Sequence, residues 1–445
     1  MFPLYKKRSV YDAENYRGIH LSSQLSKVVE RLLGRLFLPF LECTGAYGPN
    51  QFAYRTQRGC KDALAMNVIQ WLWWFFQGKR IGLYCSDVSG AFDKVRSDRL
   101  VKKLEHLGVR GKLLTLLTSW LENRDAVVTV DGFCSEKAVL CNMVYQGTVL
   151  GPPLWNVYFA DARLSVLRSG FKDTLFADDL NCYKAFPAKT SNKLVHADLR
   201  HCQTQLHSWG GADQVQFDSG KETFHVLDRW QPDGESFTVL GVIWDLQLKM
   251  DAECEEVGGR ADNKLTSLLR LRRFYDLPSL VKLFKAQVLP TIEFPTAAVY
   301  HASNTCLNHL DKVQRRFLRK VGLIAEEVFL NFRLAPLQTR RDIACLGLIH
   351  RAVLGVGPPH FREWFFPSRK LPHQHDTRLR KKQHNKQLHD YIDGNHNELL
   401  RRSILGLPQV YNTLLQKVVD TKSVRSFQRA LQQVVKESLL SGKDG

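Results

Sequence analysis

The sequence predicts an α+β fold that gives way to an all-helical region. Three features carry that reading. The apolar run from Arg80 to Val88 reads as a buried strand between Gly78 and Gly90, and two β-rich hairpins are centred on Asp131-Gly132 and on the adjacent acids Asp178-Asp179. Helical periodicity interrupts these strands in an irregular αβααββα order, which a doubly wound α/β sheet would not give. Beyond about Glu255 no strand-like run returns, and basic amphipathic helices take over from near Ala252.

Each element follows from local chemistry. From Leu21 to Glu42 the apolar residues fall at helical spacing, with Ser22 or Ser23 available as a cap. "TGAYGPNQFAYRTQRG" breaks the chain before a second helix expected over Lys61–Gln77, and the strand 80–88 comes next. "RSDRLVKKLEHLGV" and "KLLTLLTSWLENR" are amphipathic helices parted by Gly108 and Gly111. Asp131-Gly132 between two β-rich runs signals a hairpin. After Gly147, "TVLGPPLWNVYFADARLSVL" opens one long apolar helix with proline near its first turn. The acidic hairpin follows, then a helix around Asn192 to Trp209 and the strands "TFHVLD" and "FTVLGVIWDLQLKM". Three divisions are expected: 1–250 mixed, 251–366 helical, and 367–445 a basic linker with a final helix. Within the last, Pro367 to Arg402 is polar, with Arg378, Arg380, Lys381, Lys382 and Lys386, and predicts a linker or a mobile nucleic-acid arm.

Composition narrows the partner. With 445 residues, 44% apolar and 24% charged, the chain can bury a sizeable core and lies outside the disordered range. Its 63 Lys and Arg against 44 Asp and Glu give a net charge of +19, which points to a polyanion, nucleic acid ahead of an anionic membrane. "VIQWLWWFF", Val68 to Phe76, falls short of the roughly 20 apolar residues a bilayer span needs. No membrane partner is expected. No apolar stretch follows the basic residues of the first segment, so an intracellular protein is expected. The ten cysteines form no C-x-x-C pair and read as reduced thiols rather than zinc ligands.

The acidic hairpin breaks the rule for short turns. A two-residue connection normally takes glycine, because its central positions need φ > 0. Here "DTLFADDLNCYKAF" sets Asp178 and Asp179 side by side with none. A solvated loop tip is the plain alternative. Asp87, at the end of the buried strand, has its own plain alternative as a helix cap or a solvated strand end. Taken together, a strand-end carboxylate beside a carboxylate hairpin supplies the hard oxygen ligands that two Mg²⁺ ions about 3.5–4 Å apart require for in-line phosphoryl transfer.

"SDVSGAFD", "YQGTVLGPPLWNVYF" and "LFADDL", in that order, resemble motifs A, B and C of reverse transcriptases, particularly those of non-LTR (LINE-type) retrotransposons. "ENYRGIHLSSQLSKVVERLL" and "NQFAYRTQRGCKDAL" resemble the finger motifs, "LHSWGGADQVQFDSGKETFHVL" motif D, and "FTVLGVIWDLQLKM" the primer grip. The resemblance implies a right-hand polymerase fold, with fingers and palm over 1–250 and a helical thumb after it. It implies an RNA-directed DNA polymerase that adds dNTPs to a DNA primer on an RNA template with two Mg²⁺, or Mn²⁺ in their place. Asp87 and Asp178 would then be metal ligands with the main-chain carbonyl of Val88, and Asp179 a ligand or close partner. Phe92 would be the gate against a ribose 2′-hydroxyl, with an ordinary core phenylalanine as the alternative. Gln146 and Gly147 would flank the incoming nucleotide, Lys221 would serve the leaving pyrophosphate, and Arg17 and Arg55 would hold the triphosphate.

Departures from the pattern are few. Motif C starts with Phe176 where tyrosine is usual, and motif B has Gly151-Pro152 where Ser-Pro is common. The resemblance starts near the first residue, so an element lacking the endonuclease domain is expected, as is nuclear residence with "RLRKK", Arg378 to Lys382, as its one basic run. Two other functions fit the same composition: a non-catalytic RNA-binding remnant, and a group II intron-type maturase, against which the helices after Ala252 argue.

Overall fold

The computed structural model describes all residues except 7–8, 123, 369–383, 393–396 and 442–445. In chain order its strands and first helices are β1 (Phe2–Tyr5), β2 (Tyr16–Ile19), α1 (Gln24–Cys43), α2 (Cys60–Phe76), β3 (Lys79–Ser86), α3 (Ser97–His106), α4 (Gly111–Leu121), β4 (Arg124–Ala126), β5 (Thr129–Val130), β6 (Phe133–Cys134), β7 (Ala138–Leu140), α5 (Gly151–Phe159), α6 (Ala162–Arg168), β8 (Lys172–Phe176), β9 (Asp179–Pro187), α7 (Asn192–Asp213), β10 (Thr223–Leu227), β11 (Phe237–Val239), β12 (Val242–Trp244) and α8 (Asp251–Arg270). The α+β class holds. The caps are those the residues ask for: Ser23 accepts from the Ser26 N–H at the start of α1, and Asp131-Gly132 takes φ of 49° and 86° between the paired β5 and β6.

Two compact units divide the chain, the first built from 1–59, 82–184 and 190–224, the second from 60–81, 185–189 and 225–445. They do not coincide with the expected boundary at 250, because α2 and the β11–β12 pair group with the C-terminal helices. A four-stranded sheet has the order β10-β3-β9-β8, and β8 with most of β3 and β9 lies in the first unit. Leu83 and Tyr84 of β3 and Leu180 and Cys182 of β9 are fully buried, as are Leu154, Trp155, Tyr158 and Phe159 of α5. On α7 the buried apolar side chains Val195, Leu199, Cys202 and Leu206 form one helical stripe.

The expected single helix after Gly147 is two, α5 and α6. Lys103 Nζ donates to the Tyr158 carbonyl at 2.7 Å and to Asp161 at 2.8 Å, taking a carbonyl that a continuous helix would use itself.

In the second unit α2 is buried almost all round, and α8 packs against the helix Asn304–Val321. Gly258 marks their closest approach, where a Cβ would meet the His309 carbonyl at 2.9 Å. The expected linker over 367–402 fails for the residues described: His384, Leu388, Ile392 and Leu400 are all buried. The few apolar residues there stand singly among polar and charged ones, so the composition of the segment did not reveal their burial. Arg378, Arg380, Lys381 and Lys382 lie outside the described residues. Among the described residues no helix is long and apolar enough to cross a membrane.

Candidate active site

The carboxylates sit where the sheet's chain ends turn over, all within the first unit. Asp87 follows the last residue of β3, and its main-chain carbonyl accepts from the Asp218 N–H at 2.9 Å. Ser89 donates to the Gln216 carbonyl at 2.8 Å, so Val88 bridges Phe217 through its neighbours' bonds. In such a pair the central residue's own N–H and C=O point away from the partner, which leaves the Val88 carbonyl outside the pairing.

The acidic hairpin is displaced by one residue from the expected turn. Phe176 pairs with Asp179, so the turn's central residues are Ala177 and Asp178, and Asp179 opens β9. Ala177 takes φ = 61°, a glycine's conformation. Both acids are half-buried. Burial, more than the nearby Asp87 carboxylate, raises the Asp178 carboxyl above the usual range, while Arg17 and Lys221 oppose the shift. Asp179 is pushed up to about 6 by burial first and then by Asp178 and Asp87.

Lys221 reaches the same cluster. Its ammonium donates to Asp87 and lies 2.9 Å from Asp218, so a protein cation already stands among these carboxylates. Next to it Glu222, with 2% of its side chain exposed, accepts from Tyr84, from Gln203 at 2.7 Å and from His207 at 2.7 Å. That buried anchor fixes the segment carrying Lys221.

Phe92 lies on the single turn Ala91–Lys94 after the left-handed Gly90. The residue is 8% exposed and its ring stacks on Trp155 at 6.1 Å, so it is packed in the core. Gln146 and Gly147 are strapped to the end of β2: His20 N–H donates to the Gln146 carbonyl at 2.7 Å. Gly147 has φ = 99°, and the close approach it permits is to the chain itself, since a Cβ would meet the His20 carbonyl at 2.7 Å. At Gly151 a Cβ would meet the Tyr145 carbonyl at 2.8 Å, so the serine common at this place has no room here. Glu30, buried on α1, accepts from the Val149 N–H at 2.6 Å and from the Leu150 N–H at 3.2 Å at the mouth of α5.

The two arginines expected at a triphosphate differ in their placement. Arg17 is exposed and its charge acts on Asp178. Arg55 is turned inward: its side chain is 3% exposed, its Nε donates to both Glu42 oxygens at 3.0 Å and Nη1 to the Gly48 carbonyl at 2.6 Å. With its fork consumed, Arg55 is a structural residue, a correction to the sequence expectation. Glu30 and Glu222 were not marked by sequence. A glutamate on the apolar face of α1 was the one visible signal, for Glu30.

The donor set fits a hard divalent ion. Among the described residues no three His, Cys, Asp or Glu side chains close on one ion, and magnesium is ordinarily held by one or two carboxylates with phosphates and water completing the shell. Asp87, Asp178 and the Val88 carbonyl match that pattern, and the Lys221 ammonium shows that the cluster accepts a cation.

The Asp179 shift carries a prediction for the metal-free protein. Its folded carboxyl lies above the unfolded value of about 3.9, so the stability it contributes is whole below about pH 4 and is lost as pH rises through about 6. Asp179→Asn is expected to stabilise the chelator-treated protein at pH 7.5 by up to about 3 kcal/mol and to change nothing at pH 4. Denaturant unfolding at both values measures this, and an equal effect at both would refute the assignment.

Residues 5–243 match the family described as reverse transcriptase (RNA-dependent DNA polymerase). The RNA-directed DNA polymerase from mobile element jockey of Drosophila funebris is 27% identical over 334 residues, covering 70% of this chain and 36% of that protein. Its counterpart in Drosophila melanogaster is 25% identical over 337 residues, with the same coverage of 70% and 36%. A probable RNA-directed DNA polymerase from transposon BS of Drosophila melanogaster is 32% identical over 155 residues, 33% of this chain and 16% of that protein. The chain thus spans about a third of the length of the jockey relatives. Solved chains of apo telomerase from Candida tropicalis and of telomerase from Candida albicans with a telomeric RNA fragment align at TM-scores of 0.40 and 0.38, at 10% and 11% identity. They cover 72% and 69% of this chain, and 53% and 56% of theirs. The family match covers more than half of the chain, over the segment that holds the sheet and its carboxylates. The chain belongs to the reverse transcriptase family, and its α+β arrangement is that family's right-hand polymerase fold.

Proposed function

We propose that this chain is an RNA-directed DNA polymerase that extends a DNA primer along an RNA template by adding dNTPs. The observation that carries the proposal is the convergence of Asp87, Asp178 and Lys221 at the ends of β3, the β8–β9 turn and β10's leading segment, in a chain of this family. Two divalent ions, Mg²⁺ or Mn²⁺, would activate the primer 3′-hydroxyl and stabilise the leaving pyrophosphate when bound.

The chain's own residues would do the rest. Asp87, Asp178 and the Val88 carbonyl would hold the cations, and Asp179 stands beside them as a further carboxylate. Lys221 neutralises Asp87 in the free protein and, released from it, faces the anionic pyrophosphate as a donor. Arg17, exposed beside Asp178, meets the triphosphate. Phe92, backed by Trp155, would fill the volume that a 2′-hydroxyl needs. Gln146 and Gly147 border the same space. The net charge of +19 suits a polyanionic template and primer, and predicts salt-sensitive binding.

The test is dNTP incorporation on poly(rA)/oligo(dT) with Mg²⁺ by the wild type and by Asp178→Asn. Equal incorporation by both sinks the mechanism. Salt-sensitive RNA binding with no incorporation by the wild type would favour the non-catalytic RNA-binding reading instead.

A further inference from the structure

Gln51 is a buried polar side chain to which the proposed reaction gives no part. It is 1% exposed. Its amide oxygen accepts from the Ala177 N–H at 2.9 Å and from the Ala53 N–H at 3.0 Å, and its Nε2 donates to the Ala177 carbonyl at 3.1 Å. One side chain therefore satisfies both main-chain groups of a single residue.

That residue is the strained one. Ala177 occupies the first central position of the β8–β9 turn with φ = 61°, where glycine is the usual choice and an L-residue is disfavoured. The segment beside it explains how the amide arrives. Phe52 donates to the Leu175 carbonyl at 2.9 Å and Leu175 to the Asn50 carbonyl at 3.0 Å, so Gln51 lies in a parallel bridge with Leu175. Asn50 Nδ2 adds bonds to the Asp173 carbonyl at 3.0 Å and to its carboxylate at 2.8 Å. The stretch 50–52 runs along the edge of β8, and the Gln51 side chain carries the pairing beyond the strand's end onto the turn itself.

We propose that Gln51 is a positioning residue: it locks Ala177 in the left-handed conformation and thereby fixes the direction of the Asp178 carboxylate, a role that rests on the polymerase reading above. A hairpin with glycine at position 177 would hold this turn by itself. The need for Gln51 thus follows from the alanine, and replacing that alanine should remove the need.

The experiment compares the wild type, Gln51→Ala, Gln51→Glu and the double variant Gln51→Ala/Ala177→Gly, with two readouts. In primer extension on poly(rA)/oligo(dT), Gln51→Ala is expected to lower kcat by about 10- to 100-fold with the KM for dTTP within about twofold, since a misplaced catalytic group costs turnover rather than binding. The double variant is expected to recover most of the loss. Gln51→Glu keeps the acceptor for the Ala177 N–H but loses the donor to its carbonyl, so its kcat should fall between the two. In hydrogen exchange, the Ala177 amide should exchange at least about tenfold faster in Gln51→Ala while the Leu180 amide keeps its rate. An unchanged kcat, a rise in KM equal to the fall in kcat, or a loss that Ala177→Gly does not relieve overturns the inference. Should Gln51→Ala not fold, Gln51→Glu carries the same two readouts. Should the wild type itself incorporate nothing, the polymerase reading fails, and the Ala177 exchange rate still decides whether the clamp exists.

Discussion

Primer extension on an RNA template is expected to fall about a thousandfold or more when Asp87 or Asp178 becomes asparagine, while the protein's stability holds or rises. A cation at such a site is worth several kcal/mol to a phosphoryl-transfer transition state, and about 4 kcal/mol is a thousandfold in rate. Asparagine keeps the shape and one oxygen but removes the charge that fixes a hard dication. The same change costs the fold little. Burial and then Asp87 raise Asp178's carboxyl, so its ionised form works against folding and its neutral replacement relieves that burden. Asp87 pairs with Lys221, whose side chain is 48% exposed, and such a pair contributes less than about 1 kcal/mol. Lys221 also keeps Asp218 as a partner at 2.9 Å. Activity and stability should therefore part company, which a core substitution cannot imitate: replacing Leu83, fully buried in β3, would lower both. Extension assays alongside unfolding curves decide it, and residual activity within tenfold of the wild type rules the role out.

The second large effect is expected at Gly147. Alanine there meets two obstacles at once. A φ of 99° lies outside what an L-residue adopts readily, a strain of about 1–3 kcal/mol, and the added Cβ would stand 2.7 Å from the His20 carbonyl and 3.2 Å from Ile19 Cγ2. The carbonyl belongs to main chain that cannot step aside without breaking the His20-to-Gln146 bond of 2.7 Å. Together these should cost about 3–5 kcal/mol, a large share of the 5–15 kcal/mol that holds a typical domain. Gly151 offers a comparison: its Cβ would meet the Tyr145 carbonyl at 2.8 Å, but its φ is an ordinary one, so only one of the two penalties applies. A denaturant midpoint for Gly147→Ala within error of the wild type would show that the strap at β2 yields freely.

Much of this was legible in the residues. Asp131-Gly132 named its own turn, Ser23 its own helix, and Asp87 was placed at the end of a strand that stops one residue before it. Each of these is decided by neighbours in the chain. What the sequence hid is decided by residues far away. The acidic turn looked badly chosen for want of glycine, and it is held by Gln51, 126 residues earlier. Arg55 carried the right charge in the right motif, yet Glu42 on α1 claims its guanidinium. The apolar run after Gly147 had no internal reason to break, and Lys103 on α3 breaks it. Local rules therefore gave the elements and the carboxylates, while the partners that aim them needed three dimensions.

The tie between Lys221 and Asp87 has a consequence for how the protein is made. Those residues are 134 apart in sequence, and the Gln51 to Ala177 and Glu30 to Val149 ties close loops of 126 and 119 residues. Contacts of that span form late, because long loops must close before they are rewarded. On the ribosome, a chain released as far as Asp179 has all three acids but neither the cation that balances them nor the segment that Glu222 anchors. The carboxylate cluster is thus a product of completed synthesis: about 40 residues must follow the acidic turn out of the tunnel before Lys221 and the segment that Glu222 anchors can close on it.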